Sequence, residues 1–428
     1  MTADTIYALS SGSPPAAIAL IRISGPRADA ALEALAGRLP EARRATLGEL
    51  RDPASGEILD RVLFLRFPGP NSATGEDIAE LHLHGGRAVV SAVLKVLGRL
   101  DGLRAAEPGE FTRRAFENGR MDLAEAEGLA DLLSAETQSQ RRAAAAMAGG
   151  ALSRLVEEWR QRLLSLSAAV EACLDFSDEG EVGEAWPEGW SRDVGDIEER
   201  LQTFLSRPSA ERLRDGIRVA VAGPPNCGKS SLVNHLAGRD VAITSAREGT
   251  TRDLLEAPVA IGGLPFILID TAGLRETGDE IESIGIDRAR AAVDQSDLVL
   301  WLGDPAEAPS GERTILVGSK CDLAAEYRPG ADIQVSSLTG EGMTALLDML
   351  SERVASLLPG EGEVTGNRRQ RQALSAALGH LREAGSAADL LIAAEALRQG
   401  RSALDEVTGR AGVEDMLDAL FGRFCIGK

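Results

Sequence analysis

One eight-residue segment limits the possible folds of this chain more than any other feature. It runs from Gly223 to Ser230, reads GPPNCGKS and fits the pattern G-x-x-x-x-G-K-S. An apolar run typical of a β-strand (217–222) precedes it, and a helical pattern (231–236) follows it. In this context the backbone N–H groups of such a loop wrap a phosphate group. The segment therefore predicts an α/β domain that binds a nucleotide.

Three side chains of this loop have predictable tasks. Lys229 is expected to reach the β- and γ-phosphates, and the hydroxyl of Ser230 is expected to ligate Mg²⁺. Asn226 lies in mid-loop, next to the expected γ-phosphate. Its amide oxygen either ligates a monovalent cation that replaces an arginine finger, or only caps the loop. The loop alone leaves these two interpretations open.

Three further segments follow in the order typical of GTPases. GTTRD begins at Gly249 and offers a threonine that can cover the γ-phosphate and complete the Mg²⁺ shell. DTAG begins at Asp270, whose carboxylate can hold Mg²⁺ through water, and ends at Gly273, whose N–H can contact the γ-phosphate. SKCD ends at Asp322, which can accept both N–H groups of the guanine edge while Lys320 packs over the ring. Together with SSL at 336–338, whose backbone N–H groups can complete the base pocket, these segments indicate a GTPase.

Two positions depart from the usual GTPase pattern. Ser319 stands where N-K-x-D has Asn, and because serine reaches less far, we expect weaker nucleotide affinity with retained guanine preference. Leu274 stands where Ras-type GTPases have a glutamine that orients the attacking water, a task that leucine cannot perform. The nearby polar candidates for this task are Arg275, Glu276, Asp279, Glu280 and Glu282. Spacing does not select among them.

Composition excludes several classes of protein. The 46 Lys and Arg against 66 Asp and Glu give a net charge of −20, which excludes a general polyanion-binding sleeve. The four cysteines form no C-x-x-C pair, so neither a zinc knuckle nor a disulfide framework is indicated. No apolar run is long enough to cross a bilayer, so we expect a cytoplasmic protein without a membrane partner.

The texture of the sequence changes along the chain. Residues 1–118 alternate between strand and helix patterns and predict a small α+β domain, whereas 119–213 and 357–428 are helical. Residues 216–355 return to β/α alternation. The simplest organisation is an α/β domain inserted into one discontinuous helical domain, and two separate helical segments are the alternative. The predicted fold class is multidomain, α/β plus all-α.

Motifs along nearly the whole chain resemble those of the tRNA-modification GTPase family MnmE, also called TrmE. In the N-terminal part they are IRISGP (21–26), TGED (74–77), HGG (84–86), PGEFT (108–112), RAF (114–116), NGR (118–120) and DL (122–123). Later come DF (175–176), ESIG from Glu282, which looks like the E-x-I-G segment, and a tail similar to C-x-G-K, Cys425 to Lys428. The resemblance implies an N-terminal tetrahydrofolate-binding-like domain that forms dimers, a helical domain and an inserted Ras-like P-loop GTPase domain.

The resemblance also implies roles for individual residues. Glu282 corresponds to the catalytic glutamate that orients water, and Cys425 to a residue with a possible part in the modification chemistry. Mg²⁺ is expected at Ser230 and Thr251. The implied K⁺ ligands are Asn226 and backbone groups of Ser245, Arg247 and Thr250. The implied 5-formyltetrahydrofolate contacts are Arg22, Glu80, Arg120 and Lys428. The implied GTP contacts are Asn226, Cys227, Gly228, Lys229, Ser230, Ser231, Ser245, Ala246, Arg247, Glu248, Gly249, Thr250, Thr251, Asp270, Thr271, Ala272, Gly273, Ser319, Lys320, Asp322, Ser336, Ser337 and Leu338.

The function implied by the resemblance is GTP hydrolysis coupled to tRNA modification. K⁺-dependent dimerisation of the GTPase domains would activate hydrolysis in a homodimer. With an FAD-dependent MnmG partner, in a heterotetramer or larger complex, the protein would install an aminomethyl or carboxymethylaminomethyl group at C5 of the wobble uridine. The carbon donor would be 5,10-methylenetetrahydrofolate, and the tRNA would be held largely by the partner. The alternative is a GTP-dependent RNA-binding switch such as a ribosome-assembly GTPase. Residues 1–118 carry 14 basic and 15 acidic residues, so this domain has no basic face for RNA. This near-neutral domain and the C-x-G-K tail favour the first function.

Overall fold

The structure is a computed structural model that describes residues 4–176, 186–238, 256–271, 290–323, 328–360, 362–411, 414–422 and 424–427. The chain forms two compact units. The first consists of Met1–Ala130 and Asp405–Lys428, and the second of Asp131–Leu404. The three-domain boundaries given above stay a prediction.

The first unit is built around a six-stranded sheet. Its strands are β1 (Thr5–Leu9), β2 (Ile18–Ser24), β3 (Thr46–Arg51), β4 (Ile58–Phe67), β5 (Ile78–His84) and β6 (Leu103–Ala105). Its helices are α1 (Ala28–Ala36), α2 (Arg87–Leu97), α3 (Glu110–Glu117), the start of α4 (Leu123–Ser134), and α13 (Glu414–Phe421) from the end of the chain. The strand order is β3-β4-β5-β2-β1-β6, with β1 and β6 parallel and the other neighbours antiparallel.

Side chains along β2 and β5 point alternately to the two faces of the sheet, and this determines which of them can form a site. Ile21 and Ile23 of β2 and Leu81 of β5 are fully buried beneath α1 and α2. Residues between them point to the opposite face because successive strand residues alternate. The strand register places Arg22 of β2 directly opposite Glu80 of β5 on that face. Local β-pattern thus sets the two predicted folate contacts side by side.

The second unit combines a second six-stranded sheet with helices. Its strands are β7 (Ile217–Ala222), β8 (Glu256–Ile261), β9 (Leu264–Asp270), β10 (Leu298–Trp301), β11 (Thr314–Ser319) and β12 (Ile333–Val335). Its helices are α5 (Gln138–Ala148), α6 (Ala151–Phe176), α7 (Trp190–Ser206), α8 (Glu211–Asp215), α9 (Lys229–Gly238), α10 (Met343–Val354), α11 (Arg368–Gly385) and most of α12 (Leu390–Thr408). The predicted combination of an α+β part, helices and a P-loop α/β part is confirmed.

The second sheet has the order β12-β11-β10-β7-β9-β8. The first five strands in this order run parallel, and β8 joins β9 antiparallel at the edge. The core beneath it contains Val219, Leu232, Phe266 and Leu346, all at most 1% exposed. The carboxyl ends of the parallel strands share one edge, which brings the loops that follow them together. No helix in the described part of the chain is long and apolar enough to span a bilayer.

Candidate functional site

The predicted phosphate loop connects β7 to α9, as its sequence context required. Gly223 has φ 145°, Asn226 φ 61° and Gly228 φ 98°. Glycine adopts positive φ angles without strain, and two of these three positions, Gly223 and Gly228, are the glycines of the motif. Lys229 is 4% exposed, and its ammonium donates to the carbonyl oxygens of Gly223 (3.0 Å) and Pro224 (2.8 Å). The loop therefore curls around the amine of Lys229, and the contact of this amine with the β- and γ-phosphates stays a prediction.

Oxygen ligands suited to Mg²⁺ stand beside this loop. Ser230 is exposed in the first turn of α9, and Asp270 ends β9, the strand next to β7. Thr271 is held there because its hydroxyl donates to the carbonyl oxygen of Val221 over 2.8 Å. Hydroxyl and carboxylate oxygens are the hard donors that Mg²⁺ prefers, so Ser230 and Asp270 fit this ion.

The base-reading segment is joined to the phosphate loop by two side chains. The hydroxyl of Ser319, which is 5% exposed, donates to the carbonyl oxygen of Cys227 over 2.6 Å. The ammonium of Lys320 donates to the carbonyl oxygen of Asn226 over 2.8 Å. Ser319 and Lys320 thus tie the base-reading segment to the phosphate loop. The weaker nucleotide affinity expected from this serine stays a prediction.

The remaining residues predicted for the base pocket follow strands of the second sheet. Asp322 is exposed just beyond β11, and the loop at 336–338 follows β12 at the same edge of the sheet. The hydroxyl of Ser336 accepts hydrogen bonds from the backbone N–H groups of Leu338 (3.2 Å) and Thr339 (3.1 Å), which makes this loop a tight turn. Leu338 is 85% exposed, so its side chain is available to cover one face of a bound base. These residues lie at the edge of the sheet where the guanine pocket is predicted, and their contacts with a base stay a prediction.

Several predicted site residues lie outside the described residues. In the nucleotide and cation sites these are Ser245, Ala246, Arg247, Glu248, Gly249, Thr250, Thr251, Ala272 and Gly273. The predicted catalytic Glu282 and the predicted folate contact Lys428 also lie outside them. Their assignments stay predictions.

Two of the predicted folate contacts meet in the first unit. The guanidinium of Arg22 donates twice to Oε1 of Glu80, from Nε at 3.0 Å and from Nη2 at 2.8 Å. The same guanidinium lies 5.8 Å from the ring centroid of Phe111. Oε2 of Glu80 takes no hydrogen bond within the described residues and lies 3.8 Å from Nε2 of His82. A half-buried carboxylate oxygen of this kind fits the ring donors of an aminopyrimidine.

A buried ionic network lies in the same unit and was not predicted from the sequence. Arg114, whose side chain is 10% exposed, donates to carboxylate oxygens of Asp4 (2.7 Å), Glu110 (3.0 Å) and Glu76 (3.1 Å). Glu76 also accepts from the hydroxyl of Ser24 over 2.7 Å. The network therefore collects residues from the segments IRISGP, TGED, PGEFT and RAF. Those motifs therefore each contribute a residue to one packed cluster.

The network also changes the proton affinity of its carboxylates. Burial by itself would raise the pKa of Glu110, but hydrogen bonds from Arg104, the Glu107 backbone N–H and Arg114 outweigh it and lower the pKa overall. The pKa of Asp4 is lowered in the same way, because Arg104 and Arg114 outweigh its burial. Both carboxylates are thus held in the charged form that the arginines require.

The tail of the chain also belongs to the first unit. Ile426 forms an antiparallel bridge with Pro108, and Gly427 packs so closely that a Cβ there would lie 2.2 Å from the carbonyl oxygen of Leu9. Leu9 pairs with Ile21, the neighbour of Arg22 on β2. Arg120 is exposed and lies beside Gly75, since a Cβ added to Gly75 would be 3.3 Å from Cγ of Arg120. Gly75 directly precedes Glu76 of the buried network. Cys425 is exposed within this docked tail.

A phosphate loop joined to an SKCD segment at the carboxyl edge of a parallel sheet defines a P-loop GTPase. Two family models match the chain: "GTP-binding protein TrmE N-terminus" over residues 5–120 and "MnmE helical domain" over residues 123–425. The chain therefore belongs to the MnmE family of tRNA modification GTPases.

Relatives of this family match over the full length. The tRNA modification GTPase MnmE of Rhizorhabdus wittichii is 56% identical over 431 residues, which cover 99% of this chain and 97% of that protein. The MnmE protein of Erythrobacter litoralis is 58% identical over 427 residues, 99% of this chain and 100% of that protein. Among solved structures, the G domain of the T. maritima FeoB iron transporter matches 32% of this chain and 98% of its own length, at 27% identity and a TM-score of 0.24.

Proposed function

We propose that this protein hydrolyses GTP in a K⁺-dependent dimer of its GTPase domains and couples that hydrolysis to modification of the wobble uridine of tRNA. The observation that carries the proposal is the junction of Ser319 and Lys320 with the phosphate loop. This junction supports the proposal because it ties the segment that carries Asp322, the proposed guanine-reading carboxylate, to the loop that carries Lys229, the proposed phosphate-binding amine. Family membership supplies the connection of this GTPase to tRNA.

Each group of the nucleotide site has a task in hydrolysis. Lys229 binds the β- and γ-phosphates, and Ser230 with Thr251 would hold Mg²⁺, which neutralises phosphate charge. Asn226 and backbone groups of Ser245, Arg247 and Thr250 would hold K⁺, which supplies positive charge beside the phosphates. Glu282, which the resemblance to the E-x-I-G segment implies as the catalytic glutamate, would orient the attacking water. Leu274 in the usual glutamine position cannot hydrogen-bond to that water.

The first unit is proposed to bind a tetrahydrofolate derivative as carbon donor. Arg22, Arg120 and Lys428 attract the glutamate tail of this cofactor, and Glu80 accepts from its aminopyrimidine ring. The product is an aminomethyl or carboxymethylaminomethyl group at C5 of the uridine, installed with the FAD-dependent MnmG partner in a heterotetramer or larger complex. Docking of the tail beside β1 supports this proposal because it brings Cys425 into the unit that carries Arg22 and Glu80.

The net charge of −20 supports a division of labour with the partner. A chain with this charge has no general attraction for the phosphates of tRNA. We therefore propose that the partner holds most of the tRNA in the cytoplasm, while this homodimeric protein supplies the GTP-driven step. Tight binding of tRNA by the isolated chain at physiological salt would contradict this division.

GTP turnover in KCl and in NaCl at equal ionic strength tests the proposed mechanism. We expect faster turnover in KCl, on the order of 10-fold or more, because only K⁺ completes the site at Asn226. Asn226→Ala should remove the difference between the salts, whereas Asn234→Ala, an exposed asparagine farther along α9, should retain it. Equal wild-type rates in the two salts would refute the cation-activated dimer.

The water-orienting residue needs a separate test. Glu282→Ala should lower turnover by about 100-fold without weakening GTP binding, because the glutamate acts on water rather than on the nucleotide. Mass spectrometry of tRNA nucleosides after reconstitution with the partner should then show no modified uridine. Modified uridine at the wild-type level in the presence of this variant would separate tRNA modification from hydrolysis and disprove the coupling.

A further inference from the structure

A histidine on the helix after the phosphate loop holds the loop that completes the base pocket. Nδ1 of His235 lies 2.8 Å from the carbonyl oxygen of Ser337. A carbonyl oxygen only accepts hydrogen bonds, so Nδ1 is the donor and carries the hydrogen. Nε2 of the same ring is buried and has no hydrogen-bond partner in the described chain. The single polar contact of this ring is therefore directed at the backbone of Ser337.

The helix that carries His235 is itself fixed to the phosphate site. α9 begins with Lys229 and Ser230, and His235 lies in its last turn. Leu232 and Leu236 of this helix are 1% and 2% exposed and anchor it in the core of the sheet. Any position that His235 imposes on the Ser337 loop is therefore set relative to the phosphate-binding groups.

Backbone donors in the Ser337 loop are distributed unequally. The N–H groups of Ser336, Leu338, Thr339 and Gly340 all donate to acceptors within residues 336–341. The N–H of Ser337 donates to no acceptor among the described residues. Ser337 is half-buried, and Ser336 before it is fully buried. One donor of this loop is thus left for a ligand, and it belongs to the residue whose carbonyl His235 holds.

We propose that His235 is a positioning residue for guanine recognition, which fixes the backbone of Ser337 so that its N–H donates to the O6 atom of the base. This inference rests on the proposed function, since it requires a guanine nucleotide between Asp322 and this loop. Asp322 reads the N1 and N2 donors of guanine, and the Ser337 N–H reads the O6 acceptor. Adenine has an amino group at position 6, which would face the Ser337 N–H with a second donor. The contact that binds guanine therefore disfavours adenine.

Two substitutions at position 235 separate this role from simple packing. His235→Leu fills a similar volume but removes the donor, whereas His235→Asn keeps an N–H donor close to the position of Nδ1. Removing one neutral hydrogen bond that orders a loop corresponds to a loss of roughly 3- to 10-fold in affinity. We expect this loss for His235→Leu and recovery to within about 2-fold of wild type for His235→Asn.

Three diphosphates identify which atom of the base the loop reads. GDP has O6 and the 2-amino group, inosine diphosphate lacks the amino group, and 6-thioguanosine diphosphate replaces O6 by sulfur, a weak acceptor. Affinities are measured by calorimetric titration of the full chain in the presence of Mg²⁺. His235→Leu should lower the affinities for GDP and inosine diphosphate by the same factor. It should lower the affinity for 6-thioguanosine diphosphate by less than about 2-fold. Ratios between ligands are unaffected by any loss of folded protein.

Failure of this inference can be told from failure of the proposed guanine site. Asp322→Ala is the reference, and it should remove the preference for GDP over inosine diphosphate because the carboxylate pairs with the 2-amino group. If Asp322→Ala keeps the wild-type preference for GDP over inosine diphosphate, both the guanine site and this inference are refuted. If Asp322→Ala behaves as expected, the inference alone is refuted when His235→Leu weakens all three ligands equally or none of them. It is also refuted when His235→Asn binds as poorly as His235→Leu.

Discussion

The hydroxyl of Ser319 donates a 2.6 Å hydrogen bond to the carbonyl oxygen of Cys227 and so connects the base-reading segment to the phosphate loop. Both residues are buried, at 5% exposure each, so water does not replace this bond. Lys320 makes a parallel connection to Asn226 one residue earlier in the loop. The two halves of the nucleotide site are therefore coupled through adjacent side chains.

Ser319→Ala should weaken guanine nucleotide binding. The substitution leaves the carbonyl oxygen of Cys227 buried without this donor, which costs about 1–3 kcal/mol and loosens the phosphate loop. We expect the GDP affinity of Ser319→Ala to be about 10-fold below that of wild type. Ser319→Thr keeps the hydroxyl, so its GDP affinity should fall by less. Calorimetric titration measures both, and equal affinity of Ser319→Ala and wild type would contradict a role for this bond.

Arg114→Met should destabilise the first unit far more than Arg113→Met does at the neighbouring position. Removing the guanidinium leaves the carboxylates of Asp4, Glu76 and Glu110 close together, at a cost on the order of 3–5 kcal/mol. Arg113 is 41% exposed and pairs at the surface, so Arg113→Met should cost about 0–1 kcal/mol.

Hydrogen exchange of peptides from β2 and β5 measures the Arg114 effect within the first unit. Tryptophan fluorescence would not report it, because all four tryptophans, Trp159, Trp186, Trp190 and Trp301, lie in the second unit. Similar exchange rates in the two arginine variants would contradict the importance of the buried network.

Acid should weaken the first unit through Asp4 and Glu110. Burial opposes their ionisation, but the hydrogen bonds from Arg104 and Arg114 outweigh it, so each folded pKa lies below the usual 3.8 for Asp and 4.5 for Glu. A carboxyl with a lowered folded pKa contributes stability above its unfolded pKa and loses it as the pH falls through the folded value. We therefore expect protection from hydrogen exchange to decline from about pH 4.5 downward.

Arg104→Gln tests the origin of this acid response. The variant should be less stable than wild type at neutral pH, and the difference should shrink as the carboxylates become protonated. Arg51→Gln serves as a control because Arg51 pairs with Glu49 at the surface, away from the network. A difference between wild type and Arg104→Gln that stays constant from pH 7 to pH 3 would show that these carboxylates do not cause the response.

Glu80→Gln should weaken binding of 5-formyltetrahydrofolate. The change removes the carboxylate that pairs with Arg22 and would accept from the aminopyrimidine ring. Loss of hydrogen bonds to a charged group predicts about 10- to 100-fold lower affinity, measured by fluorescence titration of the ligand. Glu49→Gln, an exposed change on β3 of the same sheet, should bind like wild type. Unchanged affinity of Glu80→Gln would move the folate site elsewhere.

Strongly patterned parts of the fold could be predicted from the sequence. The run 217–222 is strand β7 at the predicted residues, because a continuous apolar run suits a buried parallel strand. Strand β3 was not predicted, since TLGELR has one buried residue and no apolar alternation. Strand β8 contains Pro258, which lacks an N–H and argues against a strand, yet its edge position tolerates the proline.

The nucleotide site was predictable where a motif carries the chemistry and not where a contact joins distant segments. The GPPNCGKS loop gave the position of Lys229 directly. The hydrogen bond from Ser319 to Cys227 could not be predicted, because the distance between them depends on how closely β11 and the phosphate loop pack. His235 has no signal in its local sequence, since its partner Ser337 lies 102 residues away.

The first unit is assembled from both ends of the chain, with Asp131–Leu404 between its two parts. Gly427 packs on Leu9 and Ile426 bridges Pro108, so these contacts are possible only after the intervening segment has been translated. On the ribosome, the strands of the N-terminal sheet emerge first, and the tail can join them only after the second unit has emerged. A chain truncated by a premature stop codon within α13 would contain the complete P-loop domain but would lack the contacts that close the first unit.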